Sequence, residues 1–170
     1  MYLLDSNTYI EAKNRYYRMT FCPAYWDWLD RQFAQDKLAS IKPVYEEICG
    51  KGDELADWVR MRPHHFRAVS SIPTQDKFAS IAKTVASDKM FNEAKVSVFL
   101  KGADPWLIAE AFTSKATVVT QEFPRGTKSK IKIPDLCDAL SVPWISTFDL
   151  IDALGAQFVL ESKALKTPNS

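Results

Sequence analysis

The sequence predicts an α/β fold in which helices cover both faces of a short, mainly parallel central sheet, giving three layers. Short apolar runs alternate with segments of helical periodicity along most of the 170 residues, and this alternation is typical of parallel sheets with crossover helices. Such sheets are buried on both faces, which explains why the runs are apolar throughout. We predict a single domain over residues 1–160, with residues 161–170 as a flexible tail.

The first half of the chain predicts two strands and several helices. The sequence "YLL" at 2–4 is a short apolar run that ends at polar residues, as a buried strand does. Apolar residues at helical spacing predict a helix over 24–34, and a second strand-like run ends at Ile41. Pro43 suits the first turn of the following helix, and Gly-Lys-Gly at 50–52 separates that helix from the next.

The second half repeats the alternation of helix and strand. A helix is predicted over 74–90, where apolar residues share one face. Gly102 and Pro105 mark a loop that leads into a helix over 105–113. The sequence "ATVVT" at 116–120 is the clearest strand, because it is apolar and β-branched. The remaining predicted elements are a helix at "IPDLCDAL", a strand at "VPWIS" and a last helix at "FDLIDALGAQF".

The composition argues against several classes of protein. The 22 Lys and Arg residues nearly balance the 21 Asp and Glu residues, and a net charge of +1 gives no global field to attract a polyanion. A nucleic acid would therefore bind through local patches. Three widely spaced cysteines with two histidines match neither a disulfide framework nor a zinc site. Without a leader or an apolar stretch of roughly 20 residues, we expect a cytoplasmic protein with no membrane partner.

Acidic residues fall where predicted strands end. Asp5 ends the first strand, Glu46 and Glu47 lie in the first turns of the helix after the second, Asp104 starts a later helix, and Glu122 follows "VVT". In a parallel sheet these positions share one edge, and carboxylates gathered there favour a hard cation such as Mg²⁺ or Mn²⁺. Each also has a local explanation, since such residues cap helices, complement helix dipoles or lie in exposed loops.

Several short motifs together resemble a known family. The segments "LLDSNTYI", "VYEEI", "GADPWLIAEA" and "VVTQE" resemble the PIN-domain metal-dependent nucleases, and within them the VapC-like toxin ribonucleases of bacterial and archaeal toxin-antitoxin pairs. The tail "KIPDLCDALSVPWIS" is similar to a small PIN-like subfamily labelled only as a domain of unknown function. The resemblance implies a PIN-like three-layer sandwich, and an endoribonuclease that cuts RNA with Mg²⁺ or Mn²⁺. It also implies a cognate antitoxin as partner and leaves a homodimer open.

The resemblance also implies roles for individual residues. Asp5 matches the first acidic residue of the metal site and Asp104 the third, and the pattern V-x-x-E-[LI] selects Glu47 over Glu46 as the second. Glu122 stands where many members carry aspartate, which lengthens the side chain by one methylene. Small polar residues that could hydrogen-bond the carboxylates are predicted at two positions. These are Asn7 and Thr120.

Basic clusters are the candidates for RNA contact. The loop "RGTKSKIK" at 125–132 follows Glu122 and is expected near the site, while "KNRYYR" at 13–18 follows Asp5. A third cluster at 60–67 combines arginines with Phe66, which suits phosphate contact and base stacking. The adjacent histidines at 64 and 65 point apart and predict a surface or packing role. The predicted RNA-binding residues are Arg15, Arg62, Arg125, Lys128, Lys130 and Lys132.

Two other functions remain open at this point. A degenerate nuclease fold could bind RNA or protein without cutting it. A haloacid-dehalogenase-like phosphatase also begins with an apolar strand that ends in aspartate, but it ordinarily needs a second aspartate two residues later. This chain has Asn7 at that position and lacks a later paired-aspartate motif.

Overall fold

The computed structural model of the protein describes residues 1–124 and 130–159. Its sheet has five strands in the order β3-β2-β1-β4-β5, and every neighbouring pair is parallel. The strands are β1 (Tyr2–Leu4), β2 (Leu38–Ile41), β3 (Phe66–Arg67), β4 (Thr117–Val119) and β5 (Trp144–Ile145). The predicted α/β class with a short parallel sheet flanked by helices is confirmed. The predicted tail at 161–170 lies outside the described residues.

The helices connect successive strands and cover the sheet. They are α1 (Ser6–Glu11), α2 (Pro23–Ala34), α3 (Lys42–Cys49), α4 (Glu54–Arg60), α5 (Ile72–Ser87), α6 (Glu93–Lys101), α7 (Asp104–Ser114), α8 (Ile133–Leu140) and α9 (Thr147–Ala153). A π-helical turn, Ala12–Tyr16, continues α1, and a 3₁₀ turn, Pro63–His65, precedes β3. Within the described ranges, no helix has both the length and the apolar character to cross a membrane.

Proline fixes where many of these helices begin. It occupies the first turn of α2, α3, α5, α7 and α8, where its missing N–H is not needed and its φ angle already suits a helix. The inner strands β1, β2 and β4 are largely buried, whereas the edge strands β3 and β5 are only partly buried. Leu3 and Leu4 of the central strand β1 have no exposed surface, and they pair in register with Val118 and Val119 of β4.

The sequence predicts neither α6 nor β3. Helix α6 fully buries only Phe99 among its nine residues, while Val96 and Leu100 beside it are partly buried against the core. Its apolar stripe is therefore only about one turn long, which is a weak helical pattern in the sequence. Strand β3 has two residues and pairs only with β2, so its conformation depends on tertiary contact. The last helix is also shorter than predicted. It ends at Ala153, just before Gly155, whose φ of +63° is left-handed and typical of a helix end.

A buried histidine lies in the 3₁₀ turn before β3. His65 is 4% exposed, and its ring stacks on Phe33 with centroids 3.8 Å apart. Burial, followed by the neighbouring His64, lowers the pKa of His65 from 6.5 to about 4, and Asp30 opposes this shift only in part. His64 is exposed. The two histidines thus make surface and packing contacts.

We expect His65 to make the protein less stable in mild acid. Between about pH 6.5 and pH 4 the unfolded chain protonates this imidazole while the folded protein keeps it neutral, so the free energy of unfolding falls as pH is lowered. The variant His65→Phe removes the titration and keeps a ring against Phe33. Urea unfolding at several pH values should therefore show a smaller fall in the free energy of unfolding for His65→Phe than for the wild type. An equal fall in the two proteins would contradict this explanation.

Candidate functional site

Neighbouring elements converge at the carboxyl edge of the sheet. Asp5 directly follows β1, and Glu122 lies just beyond β4, the strand paired with β1. Glu47 lies in α3, which follows β2 on the other side of β1. Asp104 is the first residue of α7. The structure therefore brings the four predicted acidic side chains together, and their charges act on one another.

Asp5 is the most buried member of this cluster. Its side chain has no exposed surface, and its carboxylate accepts hydrogen bonds from the Thr120 hydroxyl at 2.9 Å and the Ser6 hydroxyl at 3.3 Å. Burial raises its pKa from 3.8 to about 6, with Glu122 and Glu47 adding repulsion, although Thr120 favours the ionised form. Thr120 thus contacts the carboxylate, as the resemblance implies.

Asp104 is even harder to ionise. Burial raises the pKa of its carboxyl group from 3.8 to about 8, and Asp5, Glu122 and Glu47 add repulsion, which Lys130 partly offsets. The expectation that Asp104 caps its helix is wrong, because Ala103 occupies the cap position and Asp104 the first helical position. Carboxyl groups that hold protons near neutral pH at one sheet edge are a chemically suitable donor set for a cation, which would replace those protons.

Glu47 and Glu46 face different cavities. The Glu47 Oε1 atom accepts a hydrogen bond from the Ala103 backbone N–H at 2.8 Å. Its side chain lines a cavity of about 760 Å³ together with Asp104, which we call the acidic cavity. Glu46 lines a separate cavity beside Trp106. Both glutamates lie in the second half of α3 rather than in its first turn, which corrects the sequence prediction.

Glu122 already has cationic and backbone partners. Its Oε1 atom lies 2.5 Å from the Lys132 ammonium and 3.8 Å from that of Lys130. Its Oε2 atom accepts a hydrogen bond from the Ile133 backbone N–H at 3.0 Å. Only 8% of Glu122 is exposed. Both oxygens therefore hold the segment that leads into α8, a role that the sequence did not predict.

The fit to a metal ion rests on donor chemistry. In the part of the chain that the structure describes, no three His, Cys, Asp or Glu side chains are gathered closely enough to hold an ion as they stand. The donors nevertheless have the right character, because carboxylate oxygens are the ligands of Mg²⁺ and Mn²⁺. Glu122 is already neutralised by the Lys132 ammonium, whereas the hydrogen-bond donors to Asp5 and Glu47 are neutral hydroxyl and backbone N–H groups. The residues best suited to hold a cation are therefore Asp5, Glu47 and Asp104. The Mg²⁺ or Mn²⁺ cofactor stays a prediction.

A second cavity adjoins the acidic one. Its volume is about 600 Å³, and it shares Asn7 and Lys130 with the acidic cavity. The Asn7 backbone N–H hydrogen-bonds the Asp5 carboxylate, and the role expected for the Asn7 side chain stays a prediction. We call this space the aromatic cavity. Its defining residues are Arg15, Tyr16, Phe123, Lys130, Lys132 and Phe148.

The predicted RNA-binding residues are not equivalent. Arg15, Lys130 and Lys132 line the aromatic cavity. Arg62 lines neither cavity. Its guanidinium group instead makes two hydrogen bonds to Asp30, at 2.6 and 2.7 Å, and lies over the Trp58 ring. We assign Arg62 to the packing of the fold, which corrects its prediction as an RNA contact. The remaining two, Arg125 and Lys128, lie outside the described residues.

Three aromatic residues that the sequence did not single out lie beside the predicted site. Tyr16, Phe123 and Phe148 line the aromatic cavity and are all exposed. Tyr16 falls inside the basic cluster at 13–18, so its position beside cations was a usable signal. Phe148 joins it from α9, with the two rings edge to face at 5.1 Å. A contact between residues so distant in sequence leaves no local pattern.

Comparison with known proteins supports the fold. The family model described as "Domain of unknown function (DUF4411)" matches residues 2–158. No curated protein matches the chain. Among solved structures it is similar to a chain of VapBC2 from Rickettsia felis bound to a DNA fragment from their promoter, with a TM-score of 0.51 and 12% sequence identity, covering 85% of this chain and 97% of that chain. At this identity the likeness shows the fold alone, which is the PIN-like sandwich predicted above.

Proposed function

Because this chain belongs to the family described as Domain of unknown function (DUF4411), and has a PIN-like fold, we propose that it is a metal-dependent endoribonuclease. One observation carries the proposal. At the carboxyl edge of the sheet Asp5 is buried and Asp104 is partly buried, and burial followed by repulsion from neighbouring carboxylates raises their pKa values to about 6 and about 8. Such perturbed carboxyl groups cluster at functional sites.

We propose a task for each of three carboxylates. Asp5, Glu47 and Asp104 would hold a divalent cation, which lowers the pKa of a bound water and offsets charge on a phosphoryl group. Thr120 orients Asp5 and the Ala103 N–H orients Glu47, so these two side chains are fixed before substrate arrives. Lys130 borders both cavities with its side chain 65% exposed. Its ammonium group is available to an RNA phosphate.

The likeness to a chain of VapBC2 extends the proposal to a biological role. We suggest that this protein is the toxin of a type II toxin-antitoxin pair and that a cognate antitoxin binds it. The family resemblance supports this role, and so does the fold of the neighbour, which was solved as a complex on promoter DNA. A homodimer and a cytoplasmic location remain predictions. Co-expression with the protein of an adjacent gene, followed by co-purification, tests the antitoxin.

Cleavage of a labelled generic RNA across a Mg²⁺ and Mn²⁺ series tests the nuclease. We expect cleavage only with metal, and Glu47→Gln should lower its rate at least about tenfold, because a ligand charge is lost. The matched control is Glu46→Gln, one residue away and facing another cavity, which should stay within about twofold of the wild type. The reverse order would show that the neighbouring glutamate is the site residue.

The same assay separates the other functions. Metal-dependent release of phosphate from a monoester, without cleavage of RNA, would indicate a phosphatase, although Asn7 supplies no carboxylate for that chemistry. RNA binding without turnover at any metal concentration would indicate a binding module.

A further inference from the structure

The aromatic cavity places three exposed rings beside the acidic cluster. Tyr16 is 42% exposed, Phe148 is 43% exposed and Phe123 is 71% exposed. Exposed apolar surface that is gathered in one place often marks a binding site. The three rings come from the end of the π-helical turn, the segment after β4 and the start of α9. The three rings are therefore brought together by the tertiary structure and not by one helix or strand.

Three cations, Arg15, Lys130 and Lys132, line the same cavity together with the carboxylates of Glu11 and Glu122. Arg15 is 67% exposed at its side chain and pairs with Glu11 at 2.9 Å, a surface ion pair that solvent weakens. Lys130 is similarly exposed and lies 3.8 Å from Glu122. Lys132 is less exposed and is held closely by the same carboxylate. Arg15 and Lys130 are therefore the cations that a ligand can reach, while Lys132 is a positioning residue.

The combination of rings and accessible cations fits one chemical class. A nucleotide in a single strand offers a flat apolar base and a phosphate, and single-strand binding sites pair aromatic stacking with a positive groove. Bases within a duplex cannot present their faces to a ring. A volume of about 600 Å³ lies within the usual range for small-ligand sites, about 300–1,000 Å³.

We propose that the aromatic cavity binds one unpaired base of a single-stranded RNA, with Tyr16, Phe123 and Phe148 as the stacking surfaces and Arg15 and Lys130 as phosphate contacts. This rests on the proposed function, because Asn7 and Lys130 line both cavities and so place the base next to the cleaved phosphodiester. The enzyme would then select unpaired RNA segments.

The experiment measures binding without cleavage. In the Asp104→Asn background, the affinity for a short single-stranded RNA is compared with that for an oligonucleotide of the same length whose central nucleotides lack bases. Phe148→Leu and Tyr16→Leu should weaken binding of the complete RNA about five- to fiftyfold, because stacking on an aromatic ring is lost. Binding of the abasic RNA should change less than about twofold, since its phosphates remain.

Two matched variants guard against indirect effects. Phe148→Trp keeps a stacking surface and should retain the wild-type affinity for complete RNA. Phe21→Leu removes an even more exposed ring, 77% exposed, that does not line the cavity, and should change neither affinity. Thermal unfolding confirms that the exposed substitutions leave the fold intact.

Equal weakening for complete and abasic RNA would overturn the proposal. Unchanged binding of complete RNA by Phe148→Leu and Tyr16→Leu would also overturn the proposal. The exposed rings would then be assigned to contact with a protein partner. The inference and the proposed function fail separately. Base-dependent loss of binding in a protein that never cuts RNA would refute only the nuclease, whereas cleavage without base-dependent binding would refute only the subsite.

Discussion

Asp104→Asn should abolish metal-dependent RNA cleavage and yet make the metal-free protein more stable. Burial and three neighbouring carboxylates raise the pKa of this group to about 8, so its ionised form is unfavourable in the folded protein at pH 7. Asparagine has nearly the same shape without the charge. We expect the free energy of unfolding to rise by about 1 to 3 kcal/mol at pH 7, measured by urea unfolding in a chelator.

The gain should depend on pH in a fixed direction. The unfolded chain ionises Asp104 near pH 3.8 and the folded chain near pH 8, so the wild type loses stability as pH rises through that window. Asp104→Asn should lose less stability over this range. When the free energy of unfolding is plotted against pH, the curves of the two proteins should converge near pH 4. Asp76→Asn, at an exposed position on α5, is the matched control and should stay within about 0.5 kcal/mol of the wild type.

Metal should stabilise these two proteins to different extents. Excess Mg²⁺ should stabilise the wild type, because a ligand that binds only the folded state raises the free energy of unfolding, and should stabilise Asp104→Asn much less. Full cleavage by Asp104→Asn, or by Asp5→Asn, would remove the active-site assignment. If Asp104→Asn were less stable than the wild type in chelator, repulsion between the carboxylates would not be the dominant effect on the free energy of unfolding.

Glu122→Ala should have the opposite effect on stability, lowering the free energy of unfolding by about 2 to 4 kcal/mol. The substitution leaves the Ile133 N–H buried without its acceptor and removes the carboxylate that holds Lys132 and Lys130. It also relieves repulsion on Asp5 and Asp104, but burial contributes more than Glu122 to both of those pKa shifts. We therefore expect the lost bonds to outweigh the relief.

Two companion variants separate these contributions. Glu122→Gln keeps an acceptor for the Ile133 N–H and loses only the charge, so its destabilisation should be smaller. Lys132→Met leaves Glu122 buried with a weaker cationic partner and should also destabilise the protein. A Glu122→Ala protein as stable as Asp104→Asn would mean that Glu122 belongs to the repelling cluster rather than to the structure that holds α8.

The sequence alone determined the features that have local causes. Apolar runs of three or four residues became β1 and β2, and proline fixed the starts of α2 and α3 within a residue or two. Strand ends located Asp5 and Glu122, because parallel strands share one carboxyl edge, while short family motifs singled out Glu47 and Asp104. Periodicity, proline and turn chemistry act over a few neighbouring residues, so a single chain shows them.

Only the tertiary structure decided which charged residues are available. Arg62 lies 32 positions from Asp30, and their pairing removes it from the RNA-contact candidates. Glu122 is held by Lys132 and Ile133 rather than left free. Phe148 meets Tyr16 only because α9 packs beside the π-helical turn. Burial, ion pairing and stacking depend on distances between segments that are remote in sequence, and no local pattern encodes those distances.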